Sequence, residues 1–132
     1  MTSNRERRAA ILVVEEVEET RHGIERLLAA SNYQVSTGRD EEEAVLKASL
    51  HRHDLILISP GLNPGRAVAV ARRIRERSGL REEVPVVFFC VAGLDEGAEV
   101  GVGHNVYLTR PDNFDQLRAF LSRLLQKLPR AC

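Results

Sequence analysis

Short, continuous apolar runs alternate with longer amphipathic segments along this 132-residue chain, and this alternation restricts the fold more than any other feature. The first run, Ala10 to Val14, is followed by a segment in which Ile24, Leu27 and Leu28 recur at three- and four-residue spacing. Continuous apolar runs are typical of strands covered on both faces, and the second spacing is typical of a helix with one buried side. The repeated alternation predicts an α/β fold with a parallel sheet between two layers of helices.

The same patterns predict the individual elements. We expect five strands, at residues 10–14, 33–37, 54–59, 84–92 and 106–109, and helices at 20–30, 40–52, 66–78 and 114–128. Asp40 is expected to cap the second helix, and Asp112 or Asn113 the last, because short polar side chains accept hydrogen bonds from free N–H groups there. The last helix should bury a stripe of apolar residues: Leu117, Phe120, Leu121, Leu124, Leu125 and Leu128.

The segment at residues 92–103 is unusual because it is rich in glycine. It contains Gly93, Gly97, Gly101 and Gly103. Each glycine inside a helix costs about 1 kcal/mol relative to alanine. We therefore expect the helix between the fourth and fifth strands to be short, frayed or distorted.

Composition fits one small domain, covering residues 1–132 with its core at about residues 10–128, since 43% of the residues are apolar and 29% charged. Lys plus Arg and Asp plus Glu number 19 each, so no overall field favours nucleic acid or an anionic membrane. The apolar runs are shorter than the roughly 20 residues that cross a bilayer. Cys90 and Cys132 form neither a disulfide framework nor a metal-binding spacing. We expect a cytoplasmic domain that binds neither nucleic acid directly nor a membrane.

Two basic clusters have ordinary explanations. Arginines are frequent in the third helix, where they could contact nucleic acid. Arginine is, however, nearly the only basic residue type in this chain, and a solvated helix face explains them better. His51 and His53 flank Arg52 at the end of the second helix, where cationic side chains complement the helix dipole.

Polar residues follow the predicted strands at one end. Glu15 and Glu16 follow the first strand, Ser59 ends the third, Cys90 lies near the end of the fourth, and Arg110 follows the fifth. Ligands of parallel α/β sheets bind at the carboxyl ends of the strands. We therefore expect these five residues to surround one site.

The order of these segments resembles the receiver domains of two-component response regulators, over about residues 11–125. Residues 11–16 resemble the strand that ends in the family's acidic pair, and 54–59 the strand that ends in its phosphoaccepting aspartate. Residues 84–90 resemble the strand that ends in a threonine or serine, and 107–111 the strand with an aromatic switch residue, a lysine and a proline. The resemblance implies a three-layer, doubly wound, flavodoxin-like (βα)5 domain with a central five-stranded parallel sheet.

The departures from this resemblance lie in the phosphorylation pocket. The family's acceptor aspartate, acidic pair, hydroxyl and lysine are replaced by Ser59, Glu15 and Glu16, Cys90, and Arg110. A serine is a weak nucleophile without a base and cannot form an acyl phosphate. The pocket has one negative charge fewer, and Mg²⁺ requires a compact octahedron of oxygens, so we expect no cofactor and weak or lost Mg²⁺ binding. If any metal binds, Glu15 and Glu16 are the candidate ligands.

Two residues of the pocket affect its switching. Arg110 could pair with Glu15 or Glu16 in the space of the metal, or it could point into solvent. Tyr107 keeps the position of the aromatic switch, but Cys90 behaves as a small hydrophobe and lacks the hydroxyl that triggers the switch.

The resemblance and its departures together predict a pseudo-receiver without enzymatic activity. It would act through phosphorylation-independent contact with a signalling protein or a fused output domain, and a homodimer is left open. The alternative is a phosphorelay receiver with a non-standard acceptor, or a pocket that binds a small ligand.

Overall fold

The computed structural model describes residues 8–59, 64–89, 91 and 93–126. These residues form one six-stranded sheet and four helices. In chain order the elements are β1 (Ala10–Val14), α1 (Glu18–Ala30), β2 (Gln34–Gly38), α2 (Glu41–Leu50), β3 (Leu55–Ile58), α3 (Pro64–Ser78), β4 (Val86–Phe89), β5 (Glu99–Gly101), β6 (Val106–Thr109) and α4 (Phe114–Gln126).

The sheet is doubly wound, with the strand order β2-β1-β3-β4-β6-β5. Strand β1 pairs in parallel with β2 on one side and β3 on the other, and β4 pairs in parallel with β3 and β6. The chain reverses its direction across the sheet after β2, so β1 and β3 meet at the switch in strand order. This is the flavodoxin-like α/β architecture expected from the sequence.

Strand β5 replaces the short or distorted helix that we expected between the fourth and fifth parallel strands. It pairs antiparallel with β6 and forms an edge of the sheet. Gly97 and Gly103 flank it with φ angles of 84° and 96°, a backbone conformation that favours glycine. His104 and Asn105 complete the tight turn into β6 with φ angles of 57° and 59°. The five parallel strands of the expected sheet are present, and within the described ranges β5 adds an antiparallel sixth strand where a helix was expected.

Apolar side chains from alternate positions of the strands form two cores, one on each face of the sheet. One core packs Leu12 and Phe88 against α2 and α3, and the other packs Ile11 and Leu57 against α1 and α4. Leu27 was expected in the second core but is 48% exposed, because it lies beside the stripe that Ile24 and Leu28 bury. The predicted stripe of the last helix is confirmed for Leu117, Phe120, Leu121 and Leu124, and Leu125 is partly buried, while Leu128 lies outside the described residues.

Two helix caps predicted from the sequence are formed. The Asp40 carboxylate accepts a hydrogen bond from the amide of Glu43 at 3.0 Å, and the Asn113 side chain accepts one from the amide of Gln116 at 2.9 Å. These bonds satisfy N–H groups that have no partner inside the first turn. No helix in the described part of the chain is both long enough and apolar enough to cross a membrane.

Candidate functional site

The strand register brings the ends of β1, β3, β4 and β6 to the same edge of the sheet. Val14 lies opposite Ile58, Ile58 opposite Phe88, and Phe89 opposite Thr109. The amide of Ser59 donates to the carbonyl oxygen of Val14 at 2.8 Å, which continues the ladder one residue beyond β3. The backbone positions of Glu15, Ser59 and Arg110 therefore follow directly on strands that end together.

Glu15 uses its side chain to start helix α1. The residue is 5% exposed, and its Oε2 accepts a hydrogen bond from the amide of Val17, the cap residue of that helix, at 2.8 Å. Its backbone oxygen accepts a hydrogen bond from Nη1 of Arg21 at 2.9 Å, and its amide donates to the carbonyl of Gly38 at 3.0 Å. Glu15 is therefore fixed by local contacts, whereas the side chain of Glu16 is exposed to solvent.

Ser59 is buried at the end of β3, with 8% of its surface exposed. No group of the described residues forms a hydrogen bond with its hydroxyl. A serine hydroxyl needs an adjacent base before it becomes a useful nucleophile. The geometry in the described part of the chain therefore supplies a position for a phosphoacceptor but no activation of the serine that occupies it.

Within the described residues, Arg110 forms no ion pair with Glu15 or Glu16 and bonds to a backbone carbonyl instead. Its Nη1 donates to the carbonyl oxygen of Leu94 at 2.9 Å, in the loop between β4 and β5, and the side chain is exposed. Its amide and carbonyl bond with Ala98 and Gly97 at 3.0 and 2.6 Å. The second interpretation from the sequence, a solvent-exposed Arg110, is closer to the structure. The contact with Leu94 was missed because this segment was expected to be helical.

The side chain of Tyr107 is held on three sides. Its ring makes an edge-on contact with Phe120, with 5.9 Å between ring centroids and an interplanar angle of 80°. Its hydroxyl donates to Oδ1 of Asn105 at 2.9 Å. A Cβ at Gly101 would lie 3.4 Å from the Tyr107 ring, so strand β5 packs directly over it.

Comparison with known proteins agrees with this architecture. No family model matches the chain. The response regulator ArlR of Staphylococcus aureus is 28% identical over 127 residues, an alignment that covers 90% of this chain and 53% of ArlR. The chain thus spans about half the length of the curated relatives it matches.

Solved receiver structures match over nearly the whole chain. The receiver domain of the hybrid histidine kinase CckA is 26% identical with a TM-score of 0.62, covering 89% of this chain and 100% of that one. The receiver domain of a sensor histidine kinase from Pseudomonas aeruginosa, solved with a magnesium ion coordinated in the active site cleft, is 26% identical with a TM-score of 0.69, covering 92% and 100%. This chain is similar to receiver domains in sequence and in fold over nearly its whole length.

The residues of this chain are a poor fit for the magnesium ion that the Pseudomonas aeruginosa receiver domain coordinates. One carboxylate oxygen of Glu15 is bonded to the Val17 amide, Glu16 is exposed, and Ser59 brings no carboxylate. Within the described ranges, no three side chains of His, Cys, Asp or Glu converge as metal ligands would. Mg²⁺ is usually bound through one or two carboxylates and keeps several waters, but here one of the two candidate carboxylates is already bonded to an amide and the other is exposed.

One further residue of the predicted pocket cannot be placed. Cys90, which the sequence places at the hydroxyl position, lies outside the described residues. Its neighbour Val91 donates its amide to the carbonyl of Thr109 at 3.4 Å, so the chain continues beside β6 after β4 ends. The role of Cys90 in the pocket stays a prediction from the sequence.

Proposed function

We propose that this receiver domain transmits signals through contact with a partner protein, without phosphorylation at the position where receivers accept a phosphoryl group. The observation that carries the proposal is Ser59, which is buried at the end of β3 and has no activating base among the described residues. A serine there cannot form the acyl phosphate through which an aspartate works.

The charged groups around Ser59 support the same proposal. Glu15 stabilises the start of α1, and Arg110 binds the carbonyl of Leu94. Neither of these contacts involves Ser59. A pocket that kept its chemistry would place these charges toward one point, because phosphoryl transfer depends on converging positive groups and metal.

Tyr107 gives independent support, because a receiver that switches needs a mobile aromatic side chain at this position. Here the Tyr107 hydroxyl bonds to Asn105, and its ring contacts Phe120 and lies beside Gly101. These contacts favour one orientation of the Tyr107 side chain. The surface around β5 and β6 would then be preformed rather than induced. We infer a cytoplasmic signalling module without catalytic activity, whose partner is a separate signalling protein or an output domain fused to it.

The test is incubation with acetyl phosphate and Mg²⁺, followed by intact mass spectrometry, beside a receiver domain that has the acceptor aspartate. We expect no added phosphoryl group on this chain and clear labelling of the reference. A phosphorylated product would contradict the proposal. Its sensitivity to hydroxylamine would then distinguish an acyl phosphate from a phosphoserine, since only the acyl phosphate is cleaved readily.

A further inference from the structure

Strand β5 leaves one edge of the sheet open. It is the last strand in the sheet order and pairs with β6 on one side only. The amide of Arg110 donates to the carbonyl oxygen of Ala98 at 3.0 Å, and the amide of Val102 donates to that of Val106 at 2.9 Å. Residues that bond to the neighbouring strand alternate along an antiparallel ladder. Every second residue here therefore faces β6, and the residues between them face outward.

Glu99 and Gly101 are the outward-facing residues of β5. Their N–H and carbonyl groups form no hydrogen bond within the part of the chain that the structure describes. Natural proteins protect such edges with Lys, Pro, a bulge or a covering segment, because the free groups bond readily to another strand. Strand β5 contains neither Lys nor Pro. Four backbone groups are therefore available to a further strand.

The side chains of β5 leave this edge accessible. The carboxylate of Glu99 accepts hydrogen bonds from Nη2 of Arg123 at 2.6 Å and from Nε2 of Gln116 at 3.2 Å, so it is held against α4. Gly101 is exposed and has no side chain. Val100 lies on the opposite face of the sheet, because side chains alternate along a strand, and it is 38% exposed. A strand added at this edge would bond to the backbone and cover Val100.

A second copy of this chain fits the edge because β5 is complementary to itself. When two β5 strands pair antiparallel about a two-fold axis at Val100, Glu99 of each copy lies opposite Gly101 of the other. These outward-facing residues then form hydrogen-bonded pairs, which gives four backbone hydrogen bonds. Each carboxylate lies opposite a glycine, so no like charges are opposed. The two Val100 side chains meet across the axis, with their Cα atoms about 4.5 Å apart.

The other symmetric registers of β5 are less favourable. With Glu99 on the axis, two carboxylates would lie directly opposite each other, which is destabilising. With Gly101 on the axis, the ladder would include Gly103, whose φ angle of 96° is not that of an extended strand. The register centred on Val100 uses only the three residues that the structure places in the strand.

We propose that this chain forms a homodimer by antiparallel pairing of β5 with β5 of a second copy, with Val100 on the two-fold axis. Such an interface is isologous and closes at two copies. Only three residues of each strand pair, so the buried area is below the roughly 1,200 Å² of stable interfaces, and the expected Kd is about 10 μM to 1 mM. The pairing does not depend on whether Ser59 accepts a phosphoryl group.

The first test is sedimentation equilibrium at protein concentrations from about 10 μM to 1 mM. We expect a monomer–dimer equilibrium for the unchanged chain. Val100→Lys places two ammonium groups opposite each other and should weaken association at least about tenfold. Leu50→Lys makes the same change at a position that is 63% exposed, in a helix that contacts β1 and β2, and should leave association unchanged. A monomer at every concentration, or equal or greater weakening by Leu50→Lys, would overturn the proposal.

A disulfide tests the register of the two strands. Val100→Cys places two thiols across the axis, and the Cα separation of about 4.5 Å lies within the range of about 4.4–6.8 Å that a disulfide requires. We expect mild oxidation to link two copies of this variant much faster than two copies of the unchanged chain, which has both native cysteines, or of Leu50→Cys. If the protein dimerises but Val100→Cys is linked no faster than these controls, a different surface holds the copies together and the proposal is wrong.

Discussion

Nη1 of Arg75 donates to the backbone oxygen of His104 at 2.6 Å and so joins helix α3 to the turn between β5 and β6. Nη2 of the same guanidinium donates to the carbonyl oxygens of Val84 and Asn105 at 2.8 and 3.3 Å. Burial lowers the pKa of Arg75, although an arginine stays charged under all ordinary conditions. One side chain thus satisfies carbonyl groups on two loops that border the sheet.

Arg75→Met should therefore destabilise the fold by roughly 2–3 kcal/mol, because it leaves partly buried carbonyl groups without their charged donor. Arg72→Met is the matched control, since Arg72 lies on the same helix with an exposed side chain and no hydrogen bond in the described part of the chain. Urea denaturation measures both variants. Equal losses would show that the hydrogen bonds of Arg75 contribute nothing specific.

The contrast between Arg75 and Arg72 is one that the sequence pattern could not predict. Both fall on the polar side of a helical repeat, so periodicity treats them alike. The difference depends on β5 and its turn, which were expected to form a poor helix. The same glycines that weaken a helix also suit a tight turn, and only pairing with β6 decides between the two. Four of the five parallel strands were predictable from apolar runs, which do not depend on a distant partner, whereas β2 is mostly polar.

The candidate site was also predictable only in part. Chain order placed Glu15, Ser59 and Arg110 at one edge of the sheet, since parallel strands end together. The direction of the Arg110 side chain could not be predicted, because it depends on the carbonyl of Leu94 in a loop whose form was unknown. His53 was interpreted as a cationic helix-terminal residue, but it is buried and its pKa is lowered.

The backbone at Gly97 provides a second prediction. Its φ angle is 84°, and an added Cβ would lie 3.3 Å from an oxygen of Asp112. Gly97→Ala should cost about 1–2 kcal/mol from the left-handed conformation alone. Gly23→Ala is the control within helix α1, where an added Cβ meets nothing within 4 Å, and it should gain roughly 0.5–1 kcal/mol. Thermal denaturation should shift in opposite directions, and a shared direction would contradict the assignment of Gly97 to a strained turn.

Stability should fall in mild acid because of His53. Burial lowers the pKa of this histidine in the folded state below the value of about 6.5 for an unfolded chain. The unfolded state then binds a proton that the folded state does not, so stability declines as the pH falls below about 6.5 and levels off below the folded-state pKa. Urea denaturation between neutral and mildly acidic pH measures the slope. His53→Phe should flatten it, whereas His22→Phe, at an exposed position of α1, should not.

Restoring an aspartate at position 59 tests whether the pocket is lost as a whole. Ser59→Asp should strengthen Mg²⁺ binding, because a third carboxylate joins Glu15 and Glu16 at the edge of the sheet. Ser49→Asp adds the same charge at an exposed position of α2 and should have no such effect. Amide chemical shifts during a Mg²⁺ titration measure both variants.

Phosphorylation should be slow with Ser59→Asp alone and faster when the cation is replaced as well. Arg110 is bonded to the Leu94 carbonyl, so Ser59→Asp alone lacks a free positive group that stabilises the transferred phosphoryl group. Adding Arg110→Lys should raise the rate of labelling by acetyl phosphate by at least about tenfold over Ser59→Asp alone, which corresponds to one favourable electrostatic contact. Intact mass measured over time gives the two rates. Equal rates would mean that Ser59 is the single block to phosphorylation and that the remaining pocket residues can still support the reaction.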